Sequence, residues 1–198
     1  MSDTFRTIAA PAEAVYTEKR SKFLAFAYPV TTVEQAKERV AELSKKYFDA
    51  RHVCWAYMLG PDRKDFRAND NGEPSGTAGK PILGQINSLE LTDVVIGVVR
   101  YFGGIKLGTS GLIVAYRQAA RLALEAAEII ECHQCAEVNF AFPYMAMNEV
   151  MKVARMPGVE IVTQVFDCAC SMILRVELDH LDNVRNRLTD IDGLTFND

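Results

Sequence analysis

The stretch DVVIGVVRYFGGIKLGTSGLIVAYRQAARLALEAAE, residues 93–128, determines the fold of the first two-thirds of the chain. Its opening, Asp93–Phe102, is a nearly continuous apolar run, which is typical of a strand buried on both faces. Gly103 and Gly104 end that strand. In Leu112–Glu128, apolar residues then recur at helical spacing, with charged residues on the opposite side. The stretch therefore predicts a buried strand, a glycine loop and an amphipathic helix.

The residues before this stretch add further strands and a long loop. Ala12–Glu18 and Lys22–Val30 are rich in Val, Tyr and Phe and predict a hairpin. Val53–Leu59 is a second apolar run and predicts another buried strand. Residues 60–81 hold repeated Gly and Pro and predict a long polar loop, followed by a short helix at Ile82–Leu89.

A second series of predicted strands and helices begins after a weakly structured junction at Glu131–Cys135. The order of its elements is βαββαβ, which predicts the ferredoxin-like arrangement of one sheet with two helices on one face. The predicted segments are strand Glu137–Pro143, helix Tyr144–Met156, strand Gly158–Asp167, strand Ser171–Asp179, helix His180–Ile191 and strand Leu194–Asn197. We therefore expect an α+β protein with two domains, residues 1–131 and 136–198.

The composition places the chain among ordinary globular proteins, because 49% of its 198 residues are hydrophobic and 24% are charged. No apolar run approaches the ~20 residues that a membrane helix needs, so no membrane partner is expected. The chain opens without a secretory signal, and its five cysteines are an odd number. These features predict free thiols in a reducing cytoplasm.

The charge is distributed unevenly along the chain. Residues 1–131 carry 17 Lys and Arg against 16 Asp and Glu, whereas residues 132–198 carry 5 against 10. Between Arg100 and Arg121 there are four basic residues and no acidic one. The net charge of −4 argues against non-specific binding along a nucleic acid, and no feature of the sequence indicates DNA specificity. One basic face can still bind phosphates.

The glycine loop is the first candidate site, because it lies between a strand and a helix, where backbone N–H groups favour an anion. Thr109 stands where a phosphate-binding P-loop requires lysine, so a nucleotide-hydrolysing site is not predicted. The alternative is a tight turn capped by Thr109 or Ser110. The expected anion- or nucleic-acid-binding residues are Lys80, Arg100, Gly103, Gly104, Lys106, Gly108, Thr109 and Ser110.

The polar segment Asp70–Pro81 is the second candidate site. With the preceding strand it brings together His52, Asp70, Glu73, Ser75 and Thr77. Such groups could hold a metal, position a phosphate or act as acid and base, but their spacing matches no specific ligand set. The alternative is a turn-rich loop that caps the next helix. No cofactor or metal is assigned from this pattern.

The cysteines suggest two further sites, and both are disfavoured. His52 and Cys54 share one strand face, but a buried core thiol is the favoured interpretation of Cys54. Cys132 and Cys135 could join Cys168 and Cys170 in a four-thiolate zinc site. The βαββαβ topology places those two pairs at opposite ends of the sheet, ~20 Å apart, which excludes a shared metal.

Three motifs together resemble the YigZ/IMPACT family: HVCWAY at His52–Tyr57, NGEPSGTAG at Asn71–Gly79 and VRYFGGIKLG at Val99–Gly108. Lys19–Phe23 and Thr109–Tyr116 also fit, so the resemblance covers most of residues 16–125. The chain departs from the family pattern at three positions. Asn71 replaces one of two paired aspartates, Val53 stands at a usual asparagine and Ser110 at a usual glycine.

The resemblance implies a fold and a cellular process. It implies a first domain like the second domain of a small-subunit ribosomal protein, and a second domain similar to the ferredoxin-like terminal domains of elongation factor G. It also implies a role in translation, since the eukaryotic relatives regulate translation initiation through the starvation-responsive kinase pathway.

Three functions remain open on this basis. The first is a non-enzymatic, translation-related regulator that contacts RNA or a ribosome- or translation-associated protein through the first domain, with no catalytic residue assigned. The second is a peptidase-like hydrolase in which Glu73 or His52 is the general base beside Ser75 or Thr77. The third is docking of a basic partner on the acidic second domain. For the first function, we expect Gly76–Gly79 and Gly103–Gly108 to converge on one basic cleft, because both segments precede predicted helices.

Overall fold

The computed structural model describes residues 4–166 and 170–197, and the chain divides into two compact units. The first unit runs from Phe5 to Cys132, and the second comprises Thr4 and the described residues from His133 onward. Cys168 and Asp167, which the sequence analysis used, lie outside the described residues.

The first part of the chain contains seven strands and three helices among the described residues. They are β1 (Thr4–Ile8), β2 (Ala12–Glu18), β3 (Ser21–Pro29), α1 (Val33–Lys46), β4 (His52–Leu59), β5 (Asp65–Asn69), α2 (Gly79–Ser88), β6 (Val94–Tyr101), α3 (Gly108–Glu125) and β7 (Ile129–His133). The second unit adds β8 (Cys135–Phe142), a short 3₁₀ turn at Tyr144–Ala146, α4 (Met147–Ala154), β9 (Val159–Phe166), β10 (Cys170–Glu177), α5 (Leu178–Thr189) and β11 (Thr195–Phe196).

The main sheet of the first unit is antiparallel throughout, in the order β2-β3-β6-β4-β5. The predicted buried strand is β6, which lies at the centre and pairs with β3 on one side and β4 on the other. β1 and β7 form a separate two-stranded sheet. The glycine loop thus leaves the sheet from its central strand.

Both faces of the main sheet are covered, which explains the continuous apolar run of β6. Ile96 and Val98 pack with α2 and α3 in one core, whereas Val95 and Val99 pack on the opposite face with α1. The alternation follows from the two-residue period of a strand. α1 lies close to the sheet at Gly97, where a Cβ would come within 2.5 Å of the Leu43 side chain.

The second unit has the sheet order β11-β8-β10-β9, with β10 antiparallel to both β8 and β9. Buried side chains from α4 and α5 form a single core with those of the sheet. This is the predicted ferredoxin-like βαββαβ arrangement, so the α+β fold class is confirmed.

Three local predictions are wrong. The predicted loop over residues 60–81 contains a strand, β5, which pairs with β4. α3 begins at Gly108, four residues earlier than predicted, and ends at Glu125 rather than Glu128. The junction Glu131–Cys135 lies mostly within β7 and β8, because its polar residues occupy exposed strand positions.

The register of β10 against β8 separates the cysteines of the second unit. Cys135 lies opposite Glu177 and Cys170 lies opposite Phe142, seven positions further along. At about 3.3 Å per residue, these two thiols stand roughly 20 Å apart, too far for a shared zinc ion. Within the described ranges, no helix has the length and apolar character needed to cross a membrane.

Candidate functional site

A cavity of about 370 Å³ opens in the first unit beside the N-terminus of α3; we call it the α3 cavity. Its wall combines residues from β4, the end of β6, the polar loop before α2 and the glycine loop. The lining residues are Arg51, His52, Glu73, Pro74, Arg100, Phe102, Lys106, Leu107, Gly108, Thr109 and Leu112.

A buried ion pair forms part of the cavity wall. Arg100 Nη1 donates to Glu73 Oε1 across 2.6 Å, and the two side chains are only 9% and 4% exposed. The Arg100 guanidinium also lies 5.7 Å from the ring centroids of Phe23 and Phe102. Because Glu73 neutralises it, Arg100 contributes hydrogen bonding to the cavity rather than a net positive charge.

A chain of buried polar groups supports this pair from the core. The Tyr116 hydroxyl donates to Glu73 Oε1 at 2.9 Å, and Cys54 Sγ lies 3.3 Å from that hydroxyl and 2.9 Å from the Asp70 carbonyl oxygen. Burial raises the pKa of the Cys54 thiol to about 12, although the Tyr116 hydrogen bond acts in the opposite direction. Cys54 is therefore a protonated core thiol at neutral pH and not a nucleophile.

The N-terminus of α2 is occupied by a carboxylate of the chain itself. Asp70 accepts hydrogen bonds from the backbone N–H groups of Gly76, Ala78 and Gly79, at 2.7–2.9 Å. Burial alone would raise the pKa of Asp70, but these three bonds and the charge of Lys80 outweigh it and hold the pKa below its usual value. Asp70 is thus a structural anion, and the start of α2 is filled.

The N-terminus of α3 has no such partner among the described residues. Its N-cap residue, Leu107, makes no side-chain capping bond, and Thr109 and Ser110, the capping residues of the alternative interpretation, lie inside the helix. Gly108, at φ +71°, and Thr109 lie on the cavity wall. The first N–H groups of a helix lack intrahelical partners and carry partial positive charge, so this end of α3 favours an anion.

Two further cations lie on the same wall. Arg51 and Lys106 are exposed, and neither makes an ion pair within the part of the chain that the structure describes. With Arg100 and Glu73 cancelling each other, these two side chains leave the cavity with a net charge of about +2.

His52 completes the polar part of the wall. Its Nδ1 lies 2.8 Å from the Asn71 carbonyl oxygen and therefore donates to it, which leaves Nε2 as the acceptor of the neutral ring. Asn71 is itself held in place, since its side-chain amide donates to the Val53 carbonyl oxygen. An aspartate at position 71 could not make that donation.

The structure brings only part of the predicted anion set to the cavity: Arg100, Lys106, Gly108 and Thr109. Lys80, Gly103, Gly104 and Ser110 are not lining residues. Gly103 has a packing role, because a Cβ there would lie 2.0 Å from the backbone of Arg20, and its N–H donates to Ser21 Oγ.

The second predicted set is also divided. His52 and Glu73 line the cavity, whereas Asp70 binds the start of α2. The Thr77 hydroxyl is buried and donates to the Pro74 carbonyl oxygen at 2.6 Å. Ser75 is exposed, and within the described residues neither hydroxyl is hydrogen-bonded to His52 or Glu73. These two hydroxyls therefore form no hydrogen-bonded pair with either predicted base. The two loops do meet at one cavity, but through Glu73 and Pro74 rather than Gly76–Gly79.

Sequence reasoning missed the residues that make the cavity both apolar and basic. Phe102 could have been found, because it lies two positions after Arg100 and the strand period places both on one face. Arg51 precedes β4 and carries no such signal. Leu107 and Leu112 reach the wall because α3 begins earlier than the apolar pattern indicates.

These observations define a two-unit α+β protein with one partly apolar, basic cavity at a helix N-terminus of its first unit. Comparison with known proteins identifies the family to which the chain belongs. Residues 19–124 match the family model described as the Impact N-terminal domain. The chain therefore belongs to the IMPACT family, as the sequence motifs indicated.

The relatives cover different shares of the chain. The IMPACT family member YvyE of Bacillus subtilis is 37% identical over 131 residues, which are 66% of this chain and 60% of that protein. An IMPACT family member of Haemophilus influenzae is 31% identical over 185 residues, 91% of this chain and 90% of that protein. A crystal structure described as that of a hypothetical protein superposes with a TM-score of 0.78 at 28% identity, covering 99% of this chain and 97% of the other.

Proposed function

We propose that the protein is a non-enzymatic, cytoplasmic regulator of translation that binds single-stranded RNA through the α3 cavity. The observation that carries this proposal is the joint placement of Arg51, Lys106 and the open N-terminus of α3 on one wall. Phosphate groups bind at such helix ends and beside such cations. Lys106, Gly108 and Thr109 would hold the phosphate, and Arg100 would position it.

An aromatic side chain beside the cations supports single-stranded RNA as the ligand. Phe102 lines the cavity and its side chain is 54% exposed, although it is a large apolar group. Proteins that bind single strands combine a basic groove with aromatic rings on which unpaired bases stack. A double helix keeps its bases stacked inside and would not use this ring.

Membership of the IMPACT family supports the translational part of the proposal, because the motif resemblance implies a role in translation. The acidic character of the second unit supports a contact through the first. Residues 132–198 carry twice as many acidic as basic residues and would repel RNA.

The test is a titration of the full chain with single-stranded and hairpin RNA at 50 and 200 mM salt, read by fluorescence anisotropy. Neutralisation of two phosphate charges by Arg51 and Lys106 predicts that log K falls with log salt at a slope of about −1.4 for the single strand. Lys106→Glu should remove most of the binding, whereas Lys80→Glu, an exposed lysine away from the cavity, should change it little.

Two results would contradict the proposal. Absence of RNA binding at low salt would leave a ribosome-associated protein as the partner to seek. Binding that Lys106→Glu and Lys80→Glu weaken equally would show that RNA meets general surface charge instead of the cavity.

A further inference from the structure

The charges of the α3 cavity match a doubly charged anion better than a singly charged one. Arg51 and Lys106 contribute two positive charges, and the Arg100–Glu73 pair contributes none. A phosphate inside an RNA chain is a diester with one negative charge. A terminal phosphate is a monoester, which carries about −1.5 to −2 at neutral pH and three strong acceptor oxygens.

A second observation concerns the Arg100 guanidinium, which belongs to the same wall. The Arg100 side chain is nine-tenths buried and lines the cavity, yet its Nε has no hydrogen-bond partner within the described residues. A buried N–H left without an acceptor destabilises the folded state. The planar guanidinium suits a phosphate, and an acceptor for this N–H is what a phosphate bound beside Arg100 offers when the side chain turns toward it.

The size and the apolar part of the cavity limit the rest of the ligand. Its volume of about 370 Å³ lies near the lower end of the range of ~300–1,000 Å³ for small-molecule sites. That volume admits one nucleotide-sized group and not a run of several. Phe102 presents a ring for one base, and Leu112 adds apolar wall.

We infer that the α3 cavity selects the terminal phosphate monoester of single-stranded RNA together with its terminal nucleotide. This inference rests on the proposed RNA-binding function and makes it specific for an RNA end. The α3 N-terminus and Lys106 hold the phosphate, Arg51 adds the second charge, and Phe102 stacks on the terminal base. Because 5′- and 3′-phosphates share this chemistry, the experiment distinguishes them.

The experiment compares four seven-nucleotide RNAs of one sequence, with a 5′-phosphate, a 3′-phosphate, both phosphates or hydroxyls at both ends. Binding to the full chain is measured by anisotropy competition at 100 mM salt. We expect one phosphorylated end to bind about tenfold more tightly than the hydroxyl form, because one more charge faces two cations. A phosphoserine peptide serves as a competitor of the same charge without a base.

Matched variants locate the effect. Lys106→Ala and Arg51→Ala should each remove most of the preference for a phosphorylated end. Phe102→Leu should weaken the binding of phosphorylated RNA but not the binding of the phosphoserine peptide. Lys80→Ala should retain the full preference. All four side chains are exposed, so thermal unfolding curves close to that of the wild type will show that the variants fold.

The outcomes separate this inference from the proposed function. Equal binding of phosphorylated and hydroxyl RNA, still lost in Lys106→Glu, would overturn the inference and leave RNA binding standing. Absence of binding to any of the four RNAs would contradict both. Tighter binding of the phosphoserine peptide than of every RNA would overturn the inference in favour of a phosphorylated protein partner.

Discussion

Helices α2 and α3 cover one face of the main sheet and follow similar loops, but their N-termini differ. The N-terminus of α2 binds a carboxylate of the chain, and that of α3 does not. α2 and α3 both follow a glycine-rich segment, and neither has a side-chain bond from its own N-cap residue. The start of α2 is filled by the Asp70 carboxylate, whereas the start of α3 lies on the wall of an open cavity. Of these two helix starts, only that of α3 is therefore open to an external anion.

The difference depends on two acidic residues three positions apart. Asp70 turns toward the backbone of α2, while Glu73 accepts from Arg100 and Tyr116. If Glu73 instead bound the start of α3, that helix end would be filled as well. The ion pair with Arg100 thus holds Glu73 on the wall and leaves the α3 N-terminus open to an external anion.

The largest expected effect comes from Glu73→Gln. The glutamine still accepts hydrogen bonds but leaves the Arg100 charge buried and uncompensated. Breaking a buried ion pair from one side costs about 3–5 kcal/mol, and we expect a loss near the lower value in the free energy of unfolding. Urea unfolding followed by circular dichroism measures it.

The matched control is Glu125→Gln, which breaks the exposed pair of Glu125 with Arg121 on α3. Exposed pairs of this kind contribute about 0.3–0.5 kcal/mol. If both variants lost the same stability, the Glu73–Arg100 pair would not be acting as a buried pair.

Asp70→Ala should have the next largest effect, because three backbone N–H groups at the start of α2 lose their acceptor. We expect a loss of about 2–3 kcal/mol in urea unfolding. Ser75→Ala, at an exposed position in the same loop, should change the stability by less than about 0.5 kcal/mol. Equal stability of Asp70→Ala and the wild type would show that Asp70 does not stabilise the start of α2, and the difference between α2 and α3 would not hold.

The pH dependence of stability tests the charge on Asp70. Its folded-state pKa is lowered, so ionised Asp70 stabilises the protein above its unfolded-state pKa of about 3.9. This contribution is lost as the pH falls through the folded-state value. The stability difference between wild type and Asp70→Asn should therefore be constant from pH 7 to about 5 and shrink below pH 4. A difference that grew on acidification would contradict the assignment.

The smallest effect on stability is expected from Thr109→Asp, which supplies α3 with a carboxylate of its own. An acidic residue in the first turn of a helix stabilises it by about 0.3–1 kcal/mol. The same change should abolish RNA binding, since the anion site becomes filled as it is in α2. Thr109→Asn, equal in size and uncharged, is the control and should retain most of the binding. Undiminished RNA binding by Thr109→Asp would place the ligand elsewhere.

Most of the fold follows from patterns that a sequence can show. The continuous apolar run of β6 and the βαββαβ order of the last third are local patterns, and both predictions are confirmed. β5 was missed because Asp65–Asn69 has little apolar content. It is a strand through its pairing with β4, which is a contact between segments rather than a local property.

The site was predictable only in part, for a related reason. The sequence shows that Asp70 and Glu73 lie in one polar loop, but not that one caps α2 and the other neutralises Arg100. Those partners lie 6 to 9 residues away for Asp70 and 27 for Glu73, and the folded sheet decides between them. Glycine spacing alone gave both loops the same interpretation.

The position of β6 at the centre of the sheet has a consequence for synthesis on the ribosome. β3 and β4 are made earlier, but they do not pair with each other, because β6 lies between them. The edge of β4 lacks its β6 partner for about 40 further residues, roughly 2–8 s at translation rates of ~5–20 residues per second, and the edge of β3 lacks it for about 70 residues. During this interval β3 can pair only with β2 and β4 only with β5, so one edge of each apolar strand is exposed until β6 is made.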